Sequence, residues 1–482
     1  MRLPSRRARL PLIVLAALTA SACGLATAAT PTARSSESAS PSESTKATAT
    51  AVPTTTAACV SPASGGSSSA SAASGPGGSG SGSAVVGTGA YSQSGGSASK
   101  SAETISAPSA DESGVLVNED GKLTLSDVVV TTTGASSSSD DSSFYGLDAG
   151  VIALNGSTVT ETGGSVTTTG DGANAVFSYG SGSSVALTRV VISASGQYAH
   201  GVMASGGGSL TGDGLTVTTT GANGAAVATD RGGGTITVLG GTYRTSGPSS
   251  PGIYSTGTIT ASGATFDATG AEAAVIEGAN SVTVTDSHLT GSVNRGVMIY
   301  QSMSGDAQGS AGVFSETGGS LTALSGPIFY VTNTTATINL TCVTLDGSSG
   351  VLLDAAAGQW GSSGSNGGQA SLNAVHQTLS GSVDVDGTST VALDLSNEST
   401  LTGAINTAAS AKSVSLSLDG SSRWTVTGTS YLTVLSDSAG ITGSSVTNIL
   451  GDGHTVYYTS SANPSLDGRT YALVDGGTLT PA

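Results

Sequence analysis

The chain has 482 residues, of which only 10% are charged and 4% aromatic, while 71 are glycine. Helix-forming Glu, Lys, Arg and Leu are scarce and Thr, Ser, Ala and Val abundant, which argues against a helical domain and for short strands joined by tight turns. A formal charge of −17 with only 15 Lys and Arg argues against a nucleic-acid partner or an anionic lipid surface.

Residues 1–22 run from a basic start through the apolar LPLIVLAAL to small residues before Cys23. This is the form of a signal peptide, too short to span a bilayer as a mature helix. TASACG resembles a lipoprotein processing box, with Ala20 where Leu is usual, and implies lipidation of Cys23. Cleavage after Ala28 would instead release a soluble protein. The chain is therefore expected at the cell surface, anchored through Cys23, or else secreted. In an oxidising exterior Cys59 and Cys342 are free to pair, although INLTCVTL around Cys342 also suits a buried thiol.

Residues 23–111 are expected to form a disordered Ser/Thr/Gly/Ala-rich stalk, too poor in apolar surface to offset the entropy of ordering. From Gly114 a small residue followed by apolar ones recurs at intervals of about 22 to 36 residues. Examples are Gly150-Val151-Ile152, Gly201-Val202-Met203, Gly252-Ile253-Tyr254 and Gly296-Val297-Met298. Between them Val or Ile alternates with Thr, as in GSLTGDGLTVTTTG. Such a period with short strands and Gly corners predicts a solenoid of stacked turns. Two longer intervals mark insertions, one at 135–148 and one at 300–320. An all-β right-handed parallel β-helix is expected over 112–435, with 436–482 a cap or short β extension.

These repeats resemble the pectin-lyase-like right-handed parallel β-helices, and in style the passenger domains of bacterial autotransporter adhesins. GSSRWTVTGTSYLTVL, with Trp424, Val426, Gly428, Ser430 and Leu432, carries the most specific likeness. The resemblance implies the fold and, through relatives that cleave polysaccharides, raises an enzyme as an alternative.

Such chemistry needs convergent carboxylates on adjacent turns. Glu272, Glu277 and Asp286 with Arg295 form the best cluster, but turn Asp and Glu are ordinarily just solvated. His200 and Arg295 share a repeat position four turns, or ~19 Å, apart. His200, His288, His376 and His454 show no metal-ligand spacing. No catalytic site, metal site or cofactor is therefore expected.

Strand alternation suggests two binding surfaces. With Val151, Val176, Val202 and Ile253 inward, their successors would line an outward apolar ridge: Leu116, Ile152, Phe177, Met203, Val227, Tyr254, Ile276, Met298, Phe329 and Leu352. A cover over the ridge, or a phase error of one residue, would remove it. With Val130, Val166, Ile192, Val217, Tyr243 and Phe266 inward, a second sheet presents Thr131/Thr133, Thr167/Thr169 and Thr218/Thr220, interrupted by Arg244 and Asp267. Regular Thr ladders resemble the faces of ice-binding β-helices. The leading expectation is a non-enzymatic surface protein acting in adhesion through a protein or polysaccharide ligand. The alternatives are a polysaccharide-active enzyme or carbohydrate-binding protein, and an ice-binding protein.

Overall fold

The computed structural model describes residues 86–482. The signal segment, most of the stalk, Cys23 and Cys59 lie outside the described residues. Residues from Thr88 onward form an all-β right-handed parallel β-helix in which each full turn supplies one strand to each of three sheets. Sheet 1 runs from Thr88–Ser94 to Ser382–Val385 with 12 strands. Sheet 2 runs from Ser97–Ser101 to Val434–Ser436 with 14, and sheet 3 from Thr104–Ala107 to Thr344–Gly347 with 10. A nine-stranded sheet 4 continues the stack from Thr378–Ser380 to the C-terminus.

The helix begins about one turn earlier than its composition suggested. Thr88–Ser94, Ser97–Ser101 and Thr104–Ala107 pair in parallel with the next turn. Their small polar side chains hide the alternation, because a first turn needs only backbone partners and a modest inward face. At the other end, Tyr471–Val474 and Thr478–Pro481 form an antiparallel pair within sheet 4.

Registered stacking places equivalent residues one above another at ~4.8 Å per turn. Val151, Val176, Val202, Val227 and Ile253 form one inward file of sheet 1, all fully buried. In sheet 3, Val130, Val166, Ile192, Val217, Tyr243 and Phe266 are all buried, as the alternation requires. The Tyr243 and Phe266 rings stack at 4.5 Å and 14°.

The corner between sheets 2 and 3 is the tightest. Its first residue is left-handed in ten turns, from Ala102 and Asp127 through Gly163, Arg189 and Asp286 to Cys342, with φ between 46° and 66°; His376 (φ 49°) is its counterpart between sheets 2 and 4. The next residue is as confined: a Cβ on Gly164 (φ +75°) would lie 2.1 Å from the Val128 carbonyl oxygen. Asp286 and His376 are thus corner residues. So is Cys342, which is disulfide-bonded and half-buried rather than a free thiol inside a strand.

Two inward positions of sheet 2 carry carboxyls. Glu161 stacks between Leu125 and Leu187, and Glu316 between Val284 and Leu340. Both are buried without a hydrogen-bond partner, and burial pushes each up to about 8. The folded state therefore holds protons that the unfolded chain, at an ordinary pKa of about 4.3, releases. Their contribution to stability is full below the unfolded pKa and is lost as pH rises toward 8. A Glu161→Leu/Glu316→Leu variant should be more stable at pH 8 than the unsubstituted chain, by on the order of a few kcal/mol. Its melting midpoint should also fall less between pH 5 and 8; an identical pH slope in both proteins would refute the assignment.

Candidate functional site

Sheet 1 carries the outward residues with the most varied chemistry. In register they are Leu116, Ile152, Phe177, Met203, Ala228, Tyr254, Val275, Met298, Tyr330, Asp354 and Asp384. The file is apolar at its start, aromatic in the middle and acidic at its end.

This corrects the exposed apolar ridge in two ways. Val227, Ile276, Phe329 and Leu352 belong to the central core, and their outward neighbours are Ala228, Val275 and Tyr330 for the first three. The phase changes where the small-residue prefix lengthens, as in Ala225-Ala226-Val227. Phe177 and Met203 do point outward, yet both are fully buried, Met298 is 5% exposed, and Tyr254 is half-buried. They are covered.

The first cover is the 135–148 insertion, which folds into helix α1 (Ser139–Tyr145). Ser138 caps its N-terminus by accepting from the Asp141 amide, and Gly146 closes it in the left-handed conformation. Gly146 sits so close to the sheet that a Cβ there would lie 2.6 Å from Ile152 Cδ1 and 2.8 Å from Phe177 Cγ. Ser205 donates to the Phe144 carbonyl at 2.6 Å, and Tyr145 packs edge-on against Tyr179. The result is a second apolar cluster outside the sheet, built on Leu116, Ile152, Leu154, Phe177 and Met203.

The second cover is the 301–311 loop, anchored on Glu277. This carboxylate is 1% exposed and accepts from the Tyr254 and Tyr300 hydroxyls at 2.7 and 2.8 Å. The Ser302 amide donates to its other oxygen at 3.3 Å, and the Ser302 hydroxyl donates there too. Arg231 joins the two covers, pairing with Asp306 at 2.8 Å and lying 3.7 Å over the Phe144 ring. Burial, reinforced by the Asp306 and Glu277 carboxylates, pushes neighbouring Asp230 up to about 7.

Glu272, Glu277, Asp286 and Arg295, the best carboxylate cluster in the sequence, do not converge on one point. Glu272 pairs with Arg295 at 2.9 Å, Glu277 holds the loop, and Asp286 occupies the corner between sheets 2 and 3. His200 is buried and accepts from the Ala225 amide through Nδ1; burial pushes its imidazole down to about 4. Among the described residues no group of three His, Cys, Asp or Glu is placed to hold a metal ion.

A different set converges beyond the covers. Arg295 lies 4.2 Å over the Tyr330 ring, and Asp354 and Asp384 are register partners on adjacent turns. Asp354, Asp384 and Asp386 line a hollow of about 380 Å³ with Asn406, Thr407 and Ser410. Burial, together with the Asp384 charge, raises the Asp354 pKa. From a third insertion (356–368), the Ala357 amide donates to Asp386 at 2.7 Å, while Trp360 packs back on Tyr300 at 4.6 Å. Sequence spacing gave no sign of this insertion's role, because its Gly/Ser composition reads as an ordinary loop.

No protein-family model matches the chain, and no curated protein matches it.

On sheet 3 the Thr file runs Thr131, Thr167, Ser193, Thr218, Arg244, Asp267 and Thr290. Arg244 and Asp267 face each other at 4.0 Å in its middle, so the ladder is charged at its centre.

Glu277→Ala should free the 301–311 loop and cost about 2–4 kcal/mol, since it strands two tyrosine hydroxyls beneath that loop. Denaturation midpoints and limited proteolysis near Met303 read this directly. An unchanged midpoint with the loop still protected would remove Glu277 as the anchor.

Proposed function

We propose that this chain is an exported, non-enzymatic surface β-helix, anchored through Cys23, that acts in adhesion by binding a glycan at the open end of sheet 1. The observation that carries this reading is the hollow lined by Asp354, Asp384 and Asp386 at the last strands of sheet 1. Carboxylates and amide or hydroxyl groups in one concavity accept and donate to sugar hydroxyls, and half-buried rings beside them offer flat apolar contact. Tyr330, the register partner of Asp354, supplies such a ring. The leader-like residues 1–22 and the likeness to pectin-lyase-like and autotransporter β-helices agree with a surface location. Glu277 is consumed by its tyrosine and serine donors, which speaks against its acting as a general acid or base.

One observation favours a second reading, a polysaccharide-cleaving enzyme. Asp354 and Asp384 sit one turn, or ~4.8 Å, apart at the backbone, and the charge of one raises the pKa of the other. Such pairing is how one carboxyl stays protonated beside an ionised partner.

Retention of the full chain on immobilised polysaccharides separates the two. Asp354→Asn/Asp384→Asn should lower retention at least tenfold with an unchanged melting midpoint and no release of reducing ends from either protein. Reducing-end release that stops in the variant would establish the enzyme instead, and equal retention by both proteins would exclude the hollow as the site.

A further inference from the structure

The outer face of sheet 2 is long and uncharged and lies apart from the hollow; the 301–311 and 356–368 loops reach it at its edge, beside Thr335 and Gln369. Thr235 and Thr237, Thr258 and Thr260, and Ser281 and Thr283 stack in register as two outward files. The files continue through Thr158 and Thr160 on one side and Ser371 and Asn373 on the other, spanning nine strands. No residue in either file carries a charge over that span. Lys122 and Asp394 bound it, and Asp213 stands in a third file at its side. In a chain of formal charge −17 this is a marked segregation.

The hydroxyls are arranged as a lattice. Turns repeat at ~4.8 Å, and alternate residues along a strand lie ~6.6 Å apart, so the face is periodic in two directions. Thr235, Thr258 and Thr283 are exposed, and Thr237 and Thr260 half-buried, so this face turns its hydroxyls toward solvent. Each also presents a methyl group, so the surface alternates polar and apolar points. The two-residue corner with sheet 3 admits no covering loop on that side.

Charge and composition select the partner. A protein interface is anchored by aromatic and arginine side chains, and these two files have neither. An ionic partner finds no opposite charge. A neutral solid that repeats in two dimensions and both donates and accepts hydrogen bonds matches both the periodicity and the lack of charge. We propose that this face binds the surface of an ice crystal. Sheet 3, where Arg244 and Asp267 break the ladder, does not.

Thermal hysteresis and ice-crystal shaping by the full chain test this. The unsubstituted protein should show both. Thr258→Lys/Thr283→Lys should reduce hysteresis at least fivefold with an unchanged melting midpoint, while Thr216→Lys on sheet 3 and Asp384→Asn in the hollow should leave it intact. Absence of hysteresis in the unsubstituted chain, or equal loss with Thr216→Lys, would overturn the proposal. So would a shift in sedimentation showing that Thr258→Lys/Thr283→Lys breaks a dimer, or retention on crystalline cellulose or chitin without hysteresis. Failure here leaves the glycan reading of the hollow standing, since Asp384→Asn separates the two sites.

Discussion

Parallel backbone pairing between successive turns is the interaction from which everything else follows. Once Val151 sits beside Val176, and Val176 beside Val202, every neighbouring position is fixed to its counterpart one turn away. The interior is then a set of files, and a residue's neighbours are its equivalents in the repeat rather than its neighbours in sequence. This explains how Glu161 and Glu316 come to be entombed: each occupies a slot that its register partners fill with Leu or Val. It also explains why Tyr254, Glu277 and Tyr300, spaced by 23 residues at each step of hydrogen bonding, meet as one cluster.

The same register accounts for what the sequence disclosed. Strand alternation placed the sheet 3 core correctly, because Val130, Val166, Ile192, Val217, Tyr243 and Phe266 each sit in an unambiguous apolar–polar run. It failed on sheet 1, where both faces are apolar and nothing local distinguishes Val227 from Ala228 or Phe329 from Tyr330. A strand buried on two faces has no period-two signal. The second face became buried because the 135–148 insertion folds back over it, and an SSSSDDSS run gives little hint that Phe144 will be its anchor. The acidic hollow was illegible for a different reason. Asp354 and Asp384 are separated by the irregular 356–368 insertion and by a register shift after Val351, so spacing along the chain does not align them.

The distribution of chemistry between faces is uneven. Sheet 1 gathers the helix, the long loops, the Arg231–Asp306 and Arg295–Glu272 ion pairs and partly buried rings. Sheet 2 gathers mostly small hydroxyl residues, with Ala186, Val313, Asn339 and Asn373 among them. Sheet 3 lies between, with a Thr ladder and a weak surface ion pair that contributes little to stability. Aromatic Trp424, the most recognisable residue of the C-terminal repeats, takes no part in any surface. It is fully buried and donates through its indole to the Gly403 carbonyl at 2.9 Å.

The left-handed corner shared by sheets 2 and 3 has a consequence for how such a chain can change. All three long excursions, at 135–148, 301–311 and 356–368, leave from corners flanking sheet 1. A residue inserted between sheets 2 and 3 would instead break the sterically forced turn at Asp127, Gly163 or Arg189 and slide every file beyond it. One side of the molecule is therefore open to lengthening and new loops, while the opposite edge is locked in length and free to vary only by substitution. Novelty accumulates on sheet 1, and sheets 2 and 3 keep the ruler by which it is measured.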